Sequence, residues 1–386
     1  MKTTEPSGRN PATYTRPRAG ACRTAFALLA CLLTGMAQAA PRLLVTIDVE
    51  SVDGASLPTQ IDAICRDHSP CGLMEIARQL EAHSLRGTFF LNVYEAHRWG
   101  EPAMRQLAER LIQRGHDVAL HTHPHWQYDA QRPYMYQYSA ADQVRIVREG
   151  MTMLQAWTGM PVVAHRAGAY SADPHTLEAL RANGIGLDSS WFRDYPHSKL
   201  GSLGLPDNAP GMALGVLEIP VTVYERVEIP RGLGFLPGVR STRKLDVNWL
   251  RDTDESARAV EAAIATNPPY LVYFLHSFSL MSPDGSATPG ADTNAQANFH
   301  IMLERAAALG LVGETFRGLH DSGAQSSSTV IRVPEVTLEV PVANYTAHLV
   351  RKRPLLFVLL ASPALLAAWL GWRAWRRPRG ARAPAA

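Results

Sequence analysis

Cysteine is scarce in this chain, with four in 386 residues, at positions 22, 31, 65 and 71. So few exclude a disulfide-built scaffold, and no second cysteine or histidine pair completes a structural zinc clip around Cys65 and Cys71. Basic residues are also few where they would matter for nucleic acid. Residues 40–350 hold 25 Lys and Arg against 34 Asp and Glu, and an acidic body lacks the clustered cations that neutralise phosphates. Nucleic acid is therefore excluded as a partner. No internal repeat is found, and with 46% hydrophobic residues the composition is neither disordered nor collagen-like.

What positive charge there is collects at the ends. Residues 1–39 carry five basic and one acidic residue, residues 351–386 eight basic and none acidic, so the formal charge of +3 sums three unlike parts. Long apolar runs lie at the same two ends. Residues 24–36 (TAFALLACLLTGM) follow Arg9, Arg16, Arg18 and Arg23 and precede Ala37-Gln38-Ala39, the order of a secretory signal. Cleavage after Ala39 is expected, with an uncleaved anchor as the second reading and a buried helix as the third. Residues 354–372 (PLLFVLLASPALLAAWLGW) are uncharged and long enough to cross about 30 Å of hydrocarbon as a helix. Arg351, Lys352 and Arg353 precede them, and Arg373, Arg376, Arg377, Arg379 and Arg382 follow. The heavier positive flank stays in the cytoplasm, which leaves the body on the extracytoplasmic, periplasmic side. The expected organisation is a signal peptide (1–39), a folded domain (40–320), a linker or stalk (321–353), a single transmembrane helix (354–372) and a basic cytoplasmic tail (373–386). A hydrophobic tail removed by sorting fits the same residues. Cys22 and Cys31 belong to the signal, and outside the cytoplasm Cys65 and Cys71 are expected to pair, with two unpaired thiols as the alternative.

Between the ends, short β-branched or apolar runs at 43–48, 86–91, 117–121, 162–166, 185–188, 216–223 and 270–276 read as strands, with a weaker one near 311–316. Helical periodicity fills 73–83, 102–114, 140–157, 174–183, 254–266 and 295–309. Such alternation predicts an α/β fold, a distorted (β/α) barrel of about seven parallel strands. Residues 192–215 and 277–294 lack periodicity and read as long functional loops.

Chemistry-bearing residues fall at the ends of these strands. His121-Thr122-His123-Pro124-His125 follows the strand DVAL. If the chain turns into a helix there, His121 and His125 stand one turn apart and reach one metal, while His123 points elsewhere. A carboxylate partner ends the first strand, where Asp48 and Glu50 lie on one side at i,i+2, so that one ligates and the other acts as base. Two histidines and one carboxylate leave coordination positions open for water, the catalytic rather than the structural arrangement of a metal site. His165-Arg166-Ala167-Gly168-Ala169-Tyr170, Asp188-Ser189-Ser190-Trp191 and Phe274-Leu275-His276 end later strands. Singly, Arg166 reads equally as a rim ion pair, Trp191 as packing and His276 as an interior histidine. Together they occupy the face where barrel enzymes place their chemistry.

In this order the segments resemble the motif series of the NodB-homology polysaccharide deacetylases, carbohydrate esterase family 4, over roughly residues 42–320. The stretches CGLMEIARQLEAHSLRGTFFLNV, GHDVALHTHPHW and HRAGAYSADPHTLEALRANGIGLDSSW resemble a subgroup associated with lipopolysaccharide or other surface-polysaccharide biosynthesis. The resemblance implies metal-assisted removal of acetyl groups, N-acetyl ahead of O-acetyl, from a cell-surface or exported polysaccharide. It implies Asp48 as general base, Glu50, His121 and His125 as ligands of a divalent metal, Arg166 as the residue orienting the base and the main-chain N–H of Tyr170 as oxyanion donor. It further implies His276 as general acid, tuned by Asp188, and zinc as the metal, with cobalt, nickel or manganese as alternatives. The chain departs from the pattern at Val49, which displaces the ligand carboxylate by one position, in the Arg166–Tyr170 spacing, which is one residue longer and lacks a proline, and at Phe274. These departures leave open Asp48 as ligand with Glu50 as base, and a non-catalytic glycan-binding or scaffolding member of the same fold.

Overall fold

Strand β1 (Arg42–Val49) is buried at seven of its eight positions, the continuous apolar run of a strand covered on both faces. The structure is a computed structural model that describes residues 41–52, 56–282, 286, 288–358 and 360–362. The expected signal peptide, the basic tail and residues 359 and 363–372 of the expected membrane span lie outside the described residues.

Among the described residues the main sheet runs parallel through β1, β2 (Thr88–Asn92), β3 (Asp117–Thr122), β4 (Ala164–Ala167), β5 (Leu187–Asp188), β7 (Val216–Glu218) and, on the far side of β1, β10 (Tyr270–His276), and a short eighth parallel strand at Val312–Glu314 pairs with the start of β1. The short β6 (Gly211–Ala213) adds antiparallel to β7. Helices α1 (Leu73–Ala82), α2 (Glu101–Gln113), α3 (Ala140–Thr158), α4 (Pro174–Ala182), α5 (Glu255–Ile264) and α6 (Thr293–Ala308) stand where the periodicity predicts them. Side chains cap some of their starts: Ser139 Oγ accepts from the Asp142 N–H at the head of α3, and Asp173 caps α4 ahead of Pro174. The barrel is incomplete between β7 and β10. There the gap is spanned by single bonds, from Leu245 N to Thr222 O (2.7 Å) and from Phe274 N to Leu245 O (2.9 Å).

The expected strand at 216–223 divides in two. Pro220, which cannot donate to a ladder, separates β7 from β8 (Val223–Pro230), and β8 pairs antiparallel with β9 (Val239–Lys244) as an added hairpin. In the loop after β10, β11 (Met281–Ser282) pairs with β12 (Gly290–Ala291), and β13 (Val312–Glu314) joins the start of β1. Cys65 and Cys71 are disulfide-bonded, with their Cα atoms 5.9 Å apart.

The expected linker or stalk at 321–353 is largely folded onto the body. Strand β14 (Glu335–Val340) pairs parallel with β8, burying Val336, Leu338 and Val340 while Glu335, Thr337 and Glu339 face out. A period-two sequence of this kind supplies one apolar face, and it covers the otherwise open edge of β8. Helix α7 (Val342–Lys352) then lays Tyr345, His348 and Leu349 inward, with Tyr345 Oη donating to Pro237 O (2.8 Å) and His348 Nδ1 3.0 Å from Glu228 Oε2. Leu338→Ala is expected to destabilise the whole domain by about 3 kcal/mol in urea unfolding; an unchanged midpoint would mean that the segment does not belong to the cooperative unit. Helix resumes at 354–358 and 360–362. Among the described residues no helix is long and apolar enough to cross a membrane.

Candidate metal centre

Parallel registration carries the chemistry to one end of the sheet. Asp48 lies opposite His276 across β1 and β10, His121 opposite Arg166 across β3 and β4, His165 opposite Asp188, and Asp188 opposite Glu218. All stand at or near the C-terminal ends of their strands, where loops leave and side chains converge.

Glu50, one residue past β1, is the hub. Its Oε2 lies 3.2 Å from His121 Nε2 and 2.5 Å from His123 Nε2, and its Oε1 lies 3.5 Å from His276 Nε2. Ligating atoms of Glu50, His121 and His123 all fall within 4.8 Å of one another. His123 therefore faces the cluster, contrary to the expectation that it points away. The reason is local: a residue before proline is disfavoured in the helical region, and His123, ahead of Pro124, has φ −111° and ψ 83°. The extended chain continues through 123, so strand alternation puts His121 and His123 on the same side. Gly168 makes room for the His123 ring, since a Cβ there would collide with it. His125 stands one ring further out, its centroid 5.6 Å from that of His123, and rests against Trp126.

The donor set fits a divalent cation. Both ring nitrogens of His123 and Nδ1 of His125 are buried without a well-aligned hydrogen bond, although His123 Nε2 lies against the Glu50 carboxylate. Orphaned imidazole nitrogens beside a carboxylate are what a bound cation satisfies. Burial pushes the Glu50 carboxyl up, but His123 and His121 outweigh it and hold the group well below the usual carboxylate range. Burial, then the neighbouring His123, pushes His125 down to about 4, which leaves it neutral and able to ligate at pH 7. His121 Nδ1 is 2.9 Å from Arg166 O; donation there leaves the Nε2 lone pair directed at Glu50.

Sequence reasoning missed the residues that hold this hub. Glu95 is fully buried and accepts from Ser51 N (2.8 Å), Ser51 Oγ (2.5 Å), Asn92 Nδ2 (3.0 Å) and Trp99 Nε1 (2.8 Å). Asn92 Oδ1 in turn accepts from His123 N (3.3 Å). One carboxylate thus ties the residue after Glu50 to the backbone of His123. No local pattern marks Glu95, because its partners come from separate segments.

Asp48 and Arg166 form the second unit. Arg166 is fully buried; its Nη1 donates to Asp48 Oδ1 (2.8 Å) and Thr46 Oγ1, its Nη2 to Ser189 Oγ and its Nε to Ser189 O. The guanidinium lies over Phe90, 4.3 Å from the ring centroid. Asp48 Oδ2 stays 3.6 Å from His121 Nε2. The pairing of Asp48 with Arg166 is as the motif order implies.

Asp188 is placed otherwise than expected. Its Oδ1 accepts from His165 Nδ1 (2.7 Å) and Ser190 Oγ (2.9 Å), not from His276. His276 instead lies between Phe274 and Phe278 at the rim. Adjacent strands β4 and β5 set His165 and Asp188 side by side, whereas β10 lies on the opposite flank of the sheet. Glu218, the next cross-strand neighbour, is fully buried and accepts from Trp191 N (2.7 Å). Burial, then the Asp188 charge, raises its carboxyl well above the usual range. Asp188 is also pushed up by burial, but His165 outweighs that and keeps it ionised, with Glu218 helping as donor. A carboxyl whose folded pKa is raised contributes stability below its unfolded pKa and loses it as pH rises through the folded one. Glu218→Gln keeps the donor and removes that loss, so its midpoint relative to the parent is expected to climb as pH increases in thermal unfolding. A difference independent of pH would mean that Glu218 carries no proton.

Tyr170 follows Ala169 in a tight turn, and both hold left-handed backbone, φ 55° and 50°, a conformation stored at functional turns. The Tyr170 ring is buried against Phe192, Tyr195 and Phe274. Lys244, from β9, was invisible to motif reading. Its Nζ donates to Tyr170 Oη (3.2 Å) and sits 3.3 Å from the Phe274 ring centroid, and burial pushes its pKa down to about 8.

Residues 60–187 match the polysaccharide deacetylase family; this span includes the three histidines, Arg166 and Tyr170, while Asp48, Glu50, Asp188 and His276 lie outside it. None of the curated proteins compared matches the chain. Solved structures to which the chain is similar include a putative polysaccharide deacetylase from Mycobacterium smegmatis (16% identity, 79% of this chain and 98% of that one, TM-score 0.48). A family 4 carbohydrate esterase from Streptomyces lividans in complex with acetate aligns at 13% identity over 71% of this chain and 92% of its own, TM-score 0.40. A CE4 family pseudoenzyme from Bacillus anthracis aligns at 11% identity over 78% and 71%, TM-score 0.42.

Proposed function

From a chain whose residues 60–187 carry a polysaccharide deacetylase domain, we propose a metal-dependent hydrolase that removes acetyl groups, N-acetyl ahead of O-acetyl, from an exported or cell-surface polysaccharide. The observation that carries the proposal is the convergence of Glu50, His121 and His123 beside an Asp48 clamped by Arg166. Glu50, His121 and His123 would hold the cation, with His125 adjacent. When bound, a divalent ion such as zinc polarises an acyl carbonyl and acidifies water.

The chain's own groups supply the proton chemistry. Asp48 is the base: Arg166 occupies Oδ1 and fixes the carboxylate, leaving Oδ2 to accept a proton. The Tyr170 N–H, in its left-handed turn, serves the developing oxyanion. Burial, then Lys244, pushes His276 down to about 4, so it is neutral at pH 7 and acts as acid only after receiving the proton that Asp48 has taken from water, which it then passes to the leaving amine. Acetate leaves and the sugar keeps a free amine.

Acetate release by the full chain from a panel of acetylated polysaccharides, with and without chelator, tests this reading. Metal-dependent release is expected; bound metal without release on any polymer would favour a non-catalytic glycan-binding protein. The ligand set has its own test. His123→Ala is expected to lose bound cation about 10- to 100-fold more than His125→Ala in metal titration, and the reverse order would replace His123 by His125 in the ligand set.

We propose further that the body is extracytoplasmic and anchored by residues 354–372. The basic-flanked apolar ends and the Cys65–Cys71 disulfide support this. Protease accessibility of the body in intact spheroplasts is expected, and full protection would overturn it.

A further inference from the structure

Three half-buried rings form a plate beside the candidate site. Tyr136 Oη and His197 Nδ1 are hydrogen-bonded at 3.0 Å, which sets the two rings edge to edge and nearly parallel, 13° apart with centroids 6.3 Å from each other. Tyr134 lies across both, its centroid 4.1 Å from His197 and 5.3 Å from Tyr136. Among the described residues no further ring stacks on Tyr134. All three side chains keep partial exposure; Lys199 Nζ lies over the Tyr136 ring, 5.2 Å from its centroid, so the outer face of Tyr134 is the one offered to a ligand, and an exposed aromatic face backed by others marks a binding surface.

The plate is fixed relative to the metal centre. Its first loop is tied through Met135 N to Ser171 Oγ (3.0 Å) and Tyr136 N to Ser171 O (3.2 Å), and its second through Lys199 N to Ala172 O (3.0 Å). Ser171 and Ala172 directly follow Tyr170. Rings also connect the two places: Tyr195 touches His197 (5.7 Å) on one side and Tyr170 (5.7 Å) on the other, and Tyr170 meets Phe274, two residues before His276. Such a surface needs little ordering on binding. Aromatic faces carry negative charge density and attract the weakly positive C–H face of a saccharide ring, and the net acidic body favours a neutral polymer over an anionic one.

We propose that Tyr134, Tyr136 and His197 form a stacking subsite for a neutral pyranose unit of the substrate polymer, displaced along the chain from the unit whose acetyl group reacts. The inference rests on the deacetylase reading above. It makes recognition depend on glycan length.

Calorimetric titration of the metal-loaded full chain with N-acetylglucosamine oligomers of two and five units tests the subsite. The pentamer is expected to bind about tenfold tighter than the dimer. Tyr134→Ala is expected to remove that advantage and alter dimer affinity less than about twofold, while Tyr134→Phe, which keeps the ring, retains it. Equal binding of the two oligomers by the parent protein, or equal loss for both in Tyr134→Ala, overturns the subsite. Acetate release from the same pentamer separates the two claims. Length-dependent binding through Tyr134 without release sinks hydrolysis and spares the subsite; release with binding indifferent to Tyr134 does the opposite.

Discussion

Arg166→Leu is expected to cost about 3–5 kcal/mol of stability and to abolish acetate release. The guanidinium has no solvent exposure and distributes its donors over Asp48, Thr46 and Ser189. Leucine fills part of the volume but leaves the buried Asp48 carboxylate without its cation, and an uncompensated buried charge costs more than the pair contributes. Arg166→Lys is the sharper variant. It keeps the charge but not the planar fork, so one ammonium cannot serve Asp48 and Ser189 together. We expect Arg166→Lys to fold while losing about 10²–10⁴-fold in kcat, read from acetate release alongside urea unfolding. Folding with full activity would remove Asp48 orientation as the role of Arg166.

The second large effect is His121→Ala. His121 Nε2 lies between both carboxylates, 3.2 Å from Glu50 and 3.6 Å from Asp48, while its Nδ1 is committed to Arg166 O. Burial pushes the imidazole pKa down, yet Asp48 and Glu50 outweigh it and raise it. This ring is held by negative charge, and a divalent cation would take the proton's place. The alanine variant is expected to bind no stoichiometric metal and to release acetate no faster than the chelated parent. Direct metal analysis and acetate assay check both. Retained metal would exclude His121 as a ligand, and retained activity without metal would sink the proposed mechanism.

Much of the architecture is readable from the sequence because its signals are local. The apolar run of β1, the caps at Ser139 and Asp173 and the periodicity of 140–157 each depend on neighbouring residues, and the parallel strands of the main sheet follow from their alternation with helices. The placement of acid, imidazole and guanidinium at strand ends is local in the same sense. Even the orientation of His123 was within reach, since a residue before proline is disfavoured in the helical region, so the helical turn begins only at Pro124 and His123 stays extended.

What tertiary structure alone decides is partnership between distant segments. That Asp188 bonds His165 rather than His276 follows from strand order, that Glu95 holds Ser51 beside Glu50 and, through Asn92, the backbone of His123 follows from packing, and that residues 335–352 fold onto β8 rather than forming a stalk follows from an open sheet edge. Lys244 reaches Tyr170 only because β9 folds back beside the barrel. The sequence by itself determined which chemical groups are present and that strand ends display them, because hydrophobic periodicity dictates which face each residue takes. The tertiary structure decided which groups meet, because registration between strands far apart in the chain leaves no trace in the spacing of either one.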